Sequence, residues 1–128
     1  MSGGLPRSYL RSGLLVALAS GQAHGYDLLE KARGLGISVP DPGGLYRMLR
    51  SMEHDGDVRS WWEPSDVGPL RRTYVLTDKG IVSLVEAASS LRTTVSQLQG
   101  LLKAADAQAA VTQVAVTQVA VTQGLAPR

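Results

Sequence analysis

The chain has 128 residues, one ordinary domain's worth, of which 44% are apolar but only 5% aromatic, with no phenylalanine. Thirteen Lys and Arg against eleven Asp and Glu leave a formal charge of +2 with a pI near 9.2, a mild basic excess that does not by itself identify nucleic-acid binding. The lack of cysteine excludes disulfides, thiolate catalysis and Cys-rich zinc or iron–sulfur sites, while His/carboxylate metal sites stay formally open. No apolar run approaches the roughly 18 to 20 residues that span a bilayer, and the opening MSGGLPRSYLRSG lacks the apolar core of a secretion signal. The expectation is a soluble cytoplasmic chain with no membrane partner.

After a flexible Gly/Pro-containing start over residues 1–7, Leu10, Leu14, Leu15, Ala17 and Leu18 recur at mostly helical spacings, which predicts a first helix over residues 8–20, punctuated by Gly21. In HGYDLLEKARGLG, Tyr26, Leu29 and Ala32 fall on one side of a second helix, with Asp27 early and Lys31 and Arg33 late, as the helix dipole favours. Ser38, Asp41 and Pro42 offer start signals for a third, whose apolar stripe is Leu45, Met48, Leu49 and Met52 and which HDGD stops. Two extended segments, DVRSWWE and RRTYVL, flank the turn-forming PSDVGP and predict a β-hairpin.

Thr77 is a candidate cap for a fourth helix, along which positions 81, 84, 88, 91, 95, 98, 102, 105 and 109 alternate spacings of three and four. That seam, Ile81, Leu84, Ala88, Leu91, Val95, Leu98 and Leu102 with Ala105 and Ala109, is the pattern of a coiled coil. A helix over residues 78–109 would be roughly 48 Å long, more than the preceding region can cover, so the seam asks for a partner. A second copy is the simplest, although a different protein can also supply the facing surface. Gly100 weakens such a helix by about 1 kcal/mol relative to Ala. Residues 110–128 contain three VTQ units at a five-residue period. Ala and Gln suit a helix and Val and Thr suit strands, so the tract either extends the fourth helix, adds an edge strand or stays disordered, and its uncharged Val/Thr-rich composition is an aggregation risk if exposed.

Three short helices, a hairpin and a further helix form the order of a winged helix-turn-helix. The expected fold is therefore mainly α with a small β wing: a winged helix-turn-helix over residues 8–76, then a long C-terminal dimerisation helix over residues 77–109. In that arrangement the third helix enters the DNA major groove and the wing reaches phosphate or the minor groove. Tyr46, Arg47 and Arg50 are placed to face outward from the third helix. One arginine can fork onto guanine while the other clamps phosphate, the plain alternative being two solvated arginines. Arg71 and Arg72 at the hairpin suit phosphate, or else simply solubilise a turn. Glu53, Asp55 and Asp57 bunch just beyond, so the basic surface must be local.

LLVALASGQAHGYDLLEKA, GGLYRMLRSMEHDG and RRTYVLTDKG, in this order over roughly residues 10–80, resemble the PadR family of transcriptional regulators. The resemblance implies a homodimeric winged-helix repressor that binds double-stranded DNA at palindromic operators, often under the control of a small molecule or cellular cue. It implies that His24, Gly25 and Tyr26 start the second helix near DNA phosphate, that Tyr46 and Arg47 lie on the recognition helix, that Arg71 and Arg72 lie at the wing, and that residues 77–80 start the dimerisation helix. Two places depart from the family's pattern: Gly43–Gly44 stands where a small hydroxyl residue is frequent, removing a candidate cap and phosphate hydrogen bond, and Asp57 stands where an apolar residue commonly follows the glycine. Nothing after Tyr74 is aromatic, so the aromatic platform that some relatives use for flat ligands is missing from the last helix. Trp61 and Trp62 pack the wing root, meet an interface or contribute to an effector cleft; on a strand only one of them can face the core.

Enzyme chemistry has little support: His24 and His54 lack metal-ligand spacing, no nucleophile elbow is present, and neither HGYD nor PDPGG matches a nucleotide-binding loop. No catalytic residue, metal ligand or cofactor is expected. The competing reading is a non-enzymatic winged-helix protein–protein interaction module whose groove-facing side has lost competence for DNA.

Overall fold

The computed structural model describes residues 4–122. A 3-10 turn at Arg7–Tyr9 leads into α1 (Leu10–Ala19), followed by β1 (Ala23–His24), α2 (Gly25–Gly34), α3 (Pro42–His54), β2 (Val58–Glu63), β3 (Arg71–Leu76) and α4 (Asp78–Thr122). Of the N-terminal segment expected to be flexible, residues 1–3 lie outside the described residues, as do residues 123–128 of the VTQ tail.

Helical spacing converges on one core. α1 contributes Leu10, Leu14 and Leu18, α2 contributes Leu28 and Ala32, and α3 contributes Leu45, Leu49 and Met52, all essentially removed from solvent. Each large side chain among them stabilises the fold by about 1.5–3 kcal/mol relative to exposure. The α2 stripe differs from the sequence expectation: its packed positions are Gly25, Leu28, Leu29 and Ala32, while Tyr26 is 66% exposed. The i, i+3, i+4, i+7 set starts one residue earlier, and this turns Tyr26 to the outside. α3 starts where Asp41 and Pro42 signal it: the Asp41 carboxylate accepts the Gly44 N–H at 3.1 Å, so the helix is capped without a hydroxyl at 43 or 44. The Arg33 guanidinium donates to the Val39 carbonyl at 2.8 and 3.2 Å, fixing the connection between α2 and α3.

The expected hairpin is part of a three-stranded antiparallel sheet in the order β1-β3-β2. β1 pairs Ala23 with Tyr74 and His24 with Thr73. Two residues carry no period-2 signal, which is why the sequence pattern does not show this strand. In the hairpin, Val58, Ser60 and Trp62 stand opposite Leu76, Tyr74 and Arg72. They share one face, which is buried at Val58 and Tyr74 but exposed at Trp62, where the wing runs past the helices. Trp61, on the other face, is half-buried, so neither indole belongs to the buried core.

α4 is anchored at its base. The Thr77 hydroxyl accepts the Gly80 N–H at 3.0 Å and donates to the Gly56 carbonyl, and Lys79 Nζ donates to the Asp55 carbonyl. A Cβ at Gly80 would lie 2.1 Å from the Asp57 carbonyl oxygen, so the helix start closes on the turn before β2 only because residue 80 has no side chain. Leu84 and Ala87 then pack against the core of the winged unit. Beyond residue 88 the chain forms a second unit, in which α4 continues through the VTQ tract to Thr122. Thr117 and Thr122 donate to the carbonyls of Gln113 and Gln118 at 2.9 Å, so the hydroxyls are satisfied within the helix.

Candidate nucleic-acid interface

α3 has two opposite faces. Leu45, Leu49 and Met52 are buried, Met48 is half-buried against them, and Tyr46, Arg47 and Arg50 point to solvent. Neither Arg47 nor Arg50 forms an ion pair among the described residues. The Arg47 guanidinium folds back toward the first turn of its own helix, 3.2 Å from where a Gly43 Cβ would stand. The Tyr46 ring fills the space beside Gly25, tying the outer face of α3 to the start of α2.

The two wing arginines are in unlike states. Arg71 is exposed at the strand end, in register with Glu63. Arg72 is held within the wing: Nε donates to Ser60 Oγ at 3.0 Å, Nη2 stands 3.8 Å from Glu53, and the guanidinium lies 5.1 Å from the centre of the Trp62 ring. The Trp61 indole N–H donates to Glu63 at 2.9 Å, and this bond, with one from Thr73, holds the Glu63 carboxyl below its ordinary range. Burial raises the Tyr74 phenol.

Five of the seven residues expected at DNA, His24, Tyr26, Tyr46, Arg71 and Arg72, line one cleft of about 530 Å³ together with Trp62, Leu70 and Tyr74. His24 is fixed there through Nδ1, 3.1 Å from Thr73 Oγ1 on the neighbouring strand. Arg47 and Arg50 are not among the residues that line this cleft. Four of the chain's six aromatic residues meet in it, a clustering hidden in the sequence because they come from α2, α3, β2 and β3. Of the nearby acids, Asp27 lines the cleft itself, Asp55 and Asp57 share Arg11, and Glu53 accepts the Ser60 hydroxyl at 2.6 Å.

Sequence reasoning also passed over Arg7, whose guanidinium lies against Gly44 in the first turn of α3. Its Gly/Pro-rich context gives no periodic signal.

Along α4, Leu84, Ala88 and Leu91 are half-buried, Leu84 through packing on its own winged unit, whereas Ile81, Val95, Leu98 and Leu102 are 52–60% exposed in the single chain. The valines of the VTQ tract are also exposed. They continue no seam, since five residues advance a helix by a full turn plus about 140° and scatter the repeat around its circumference. Among the described residues, no group of three His, Asp or Glu could hold a metal, and no helix is long and apolar enough to cross a membrane.

A three-helix core with an arginine-bearing third helix beside a β wing defines the winged helix-turn-helix class of DNA-binding proteins. Residues 14–86 match the transcriptional regulator PadR-like family, and the chain belongs to it. It is therefore a DNA-binding transcriptional regulator.

Solved structures with the same fold include a PadR-like transcriptional regulator from Bacillus cereus at 26% identity, which covers 75% of this chain and 93% of its own with a TM-score of 0.66. A PadR family regulator from Clostridium difficile is 21% identical, covering 73% and 98% with a TM-score of 0.66. A protein of Streptococcus mutans is 20% identical, covering 80% and 94% with a TM-score of 0.70. No curated protein matches the chain in sequence.

Proposed function

We propose that this regulator is a cytoplasmic homodimeric repressor that occupies an inverted-repeat operator and thereby blocks transcription. The observation that carries this reading is the outer face of α3, where Arg47 and Arg50 stand exposed and without ion pairs among the described residues, while the opposite face locks the helix to the core. Base edges are read by one of these arginines and phosphate is held by the other. Arg71, His24, Tyr26 and Tyr46 follow the DNA backbone around the cleft, and Arg72 stiffens the wing through Ser60 and Trp62.

Two copies join along Ile81, Leu84, Ala88, Leu91, Val95, Leu98 and Leu102, so that the two recognition helices meet half-sites about one DNA turn apart, roughly 34–36 Å. An effector acts by changing the separation or tilt of the recognition helices and shifting the population toward a poorly binding geometry. Trp61 and Trp62, at the wing and outside the core, are the residues through which a small effector is felt.

Footprinting on the protein's own upstream DNA and on other candidate promoters tests the proposal. A protected inverted repeat is expected. Uniform, sequence-independent protection together with a tight protein partner on α4 would favour an interaction module instead.

A further inference from the structure

Residues 5–9 are held on the winged unit. Leu5 forms a parallel bridge with Ile37, and the Ser38 N–H donates to the Leu5 carbonyl at 2.9 Å. The 3-10 turn that follows directs Arg7 across the first turn of α3. There a Cβ on Gly44 would stand 2.8 Å from Arg7 Nη2 and 3.5 Å from its Cζ, so the guanidinium occupies the volume that a side chain at 44 would take. Gly44 is buried, while Arg7 is exposed.

Nothing among the described residues of the winged unit explains a cation at this place. Among the described residues Arg7 has no carboxylate within 4.0 Å and makes no side-chain hydrogen bond. The carboxylate that caps α3, Asp41, is engaged with the Gly44 N–H at 3.1 Å. A positive side chain near the amino end of a helix opposes the helix dipole by roughly 0.3–1 kcal/mol. Arg11, one turn further on, shows the contrast: it is satisfied by two carboxylates. Arg7 therefore presents five N–H donors beside the first turn of the recognition helix, with no acceptor among the described residues to hold them.

We infer that Arg7 is a further DNA-contacting residue, which grips a backbone phosphate beside the amino end of α3 and sets how far that helix enters the groove. The inference rests on the reading of α3 as the recognition helix. It adds a contact from an arm that precedes the helix-turn-helix. It also gives Gly44 a function, that of leaving room for the guanidinium.

The test measures binding by fluorescence anisotropy across a salt series, on a mixed-sequence DNA duplex about three helical turns long and on the footprinted site. Arg7→Ala is expected to weaken both duplexes by a similar factor, about tenfold at low salt, and to lower the slope of log K against log salt by about 0.9, the value of one phosphate contact. Gly44→Ala, which keeps both the charge and the Asp41 cap but displaces the guanidinium, should give part of that loss. Arg7→Lys should retain the salt slope. Thermal melting of all three variants reports their folding, and Arg7→Ala should melt as the wild type does.

Unchanged affinity and salt slope in Arg7→Ala, with a loss in Arg47→Ala, overturns the inference and leaves α3 as the recognition helix. A loss confined to the footprinted site overturns it in favour of base reading by Arg7. Absence of wild-type binding to either duplex at low salt overturns both the inference and the reading on which it rests.

Discussion

Arg11 and Asp57 form the joint that holds α1, the turn before β2 and the base of α4 together. The guanidinium donates to Asp57 Oδ2 at 2.9 Å, and the Ser83 hydroxyl of α4 donates to Oδ1 of the same carboxylate at 2.7 Å. Asp57 is almost fully buried, and the same Arg11 nitrogen also reaches Asp55 at 2.7 Å. A carboxylate at a position where the family's pattern suggests an apolar residue is thus fully partnered.

Asp57→Ala is expected to destabilise the protein by about 2 kcal/mol, because it leaves the Ser83 hydroxyl without its acceptor and removes one of the two partners of Arg11. Solvent screening moderates the loss, since the Arg11 side chain is one-third exposed. Thermal denaturation followed by circular dichroism should show a Tm lowered by about 10 °C.

The same site predicts an acid limb of stability. Burial pushes the Asp57 carboxyl up, but hydrogen bonds from Ser83 and Arg11 and the charges of Arg11 and Lys79 together outweigh burial and leave it below its ordinary value. A carboxyl lowered in the folded state stabilises fully above its unfolded pKa, about 3.9, and that contribution disappears as pH falls through the folded value. Wild-type Tm should therefore fall below about pH 4 more steeply than that of Asp57→Asn. Parallel curves would remove Asp57 as the cause.

For DNA, Arg47→Ala should weaken the specific site by about 1–3 kcal/mol, roughly 5- to 150-fold, while changing a mixed-sequence duplex much less. Arg71→Ala should instead weaken all sequences similarly and lower the salt slope by about 1. Competition binding with matched specific and mixed duplexes separates the two patterns.

Leu98→Glu places a charge in the middle of the proposed seam and should give monomers in sedimentation velocity at micromolar concentration. Truncation after Ala110 should leave the dimer intact, because the five-residue period carries the valines around the helix instead of extending the seam. A wild-type monomer at the same concentration would sink the dimer proposal.

Much of the fold was legible because the periodicities are local and strong. Leu10, Leu14 and Leu18 mark α1, Asp41 and Pro42 mark the start of α3, and two extended segments flanking the turn PSDVGP mark the hairpin. β1 was not legible, since a two-residue strand is created by its partner β3 rather than by a pattern of its own. The face of Tyr26 was misplaced by one position, because a short helix with several apolar residues admits two nearby stripes and packing decides between them. The helical state of the VTQ tract was left open by conflicting propensities. Continuation from α4, with Thr117 and Thr122 bonded back to preceding carbonyls, is how the tract takes the helical form.

The sequence by itself determined the four helices and the hairpin, the winged helix-turn-helix order and the outward arginines of α3, since these follow from spacing along one segment at a time. Only the tertiary structure decided which distant residues act together. It gathered four aromatics and two arginines into one cleft, drew Arg72 into the wing while leaving Arg71 free, and laid Arg7 over Gly44. Such relations depend on where separate elements meet, and no spacing within one segment encodes them. The charge of +2 says little about DNA for the same reason: Arg11 is consumed by Asp55 and Asp57, and it is the fold that leaves Arg7, Arg47 and Arg50 without internal partners among the described residues.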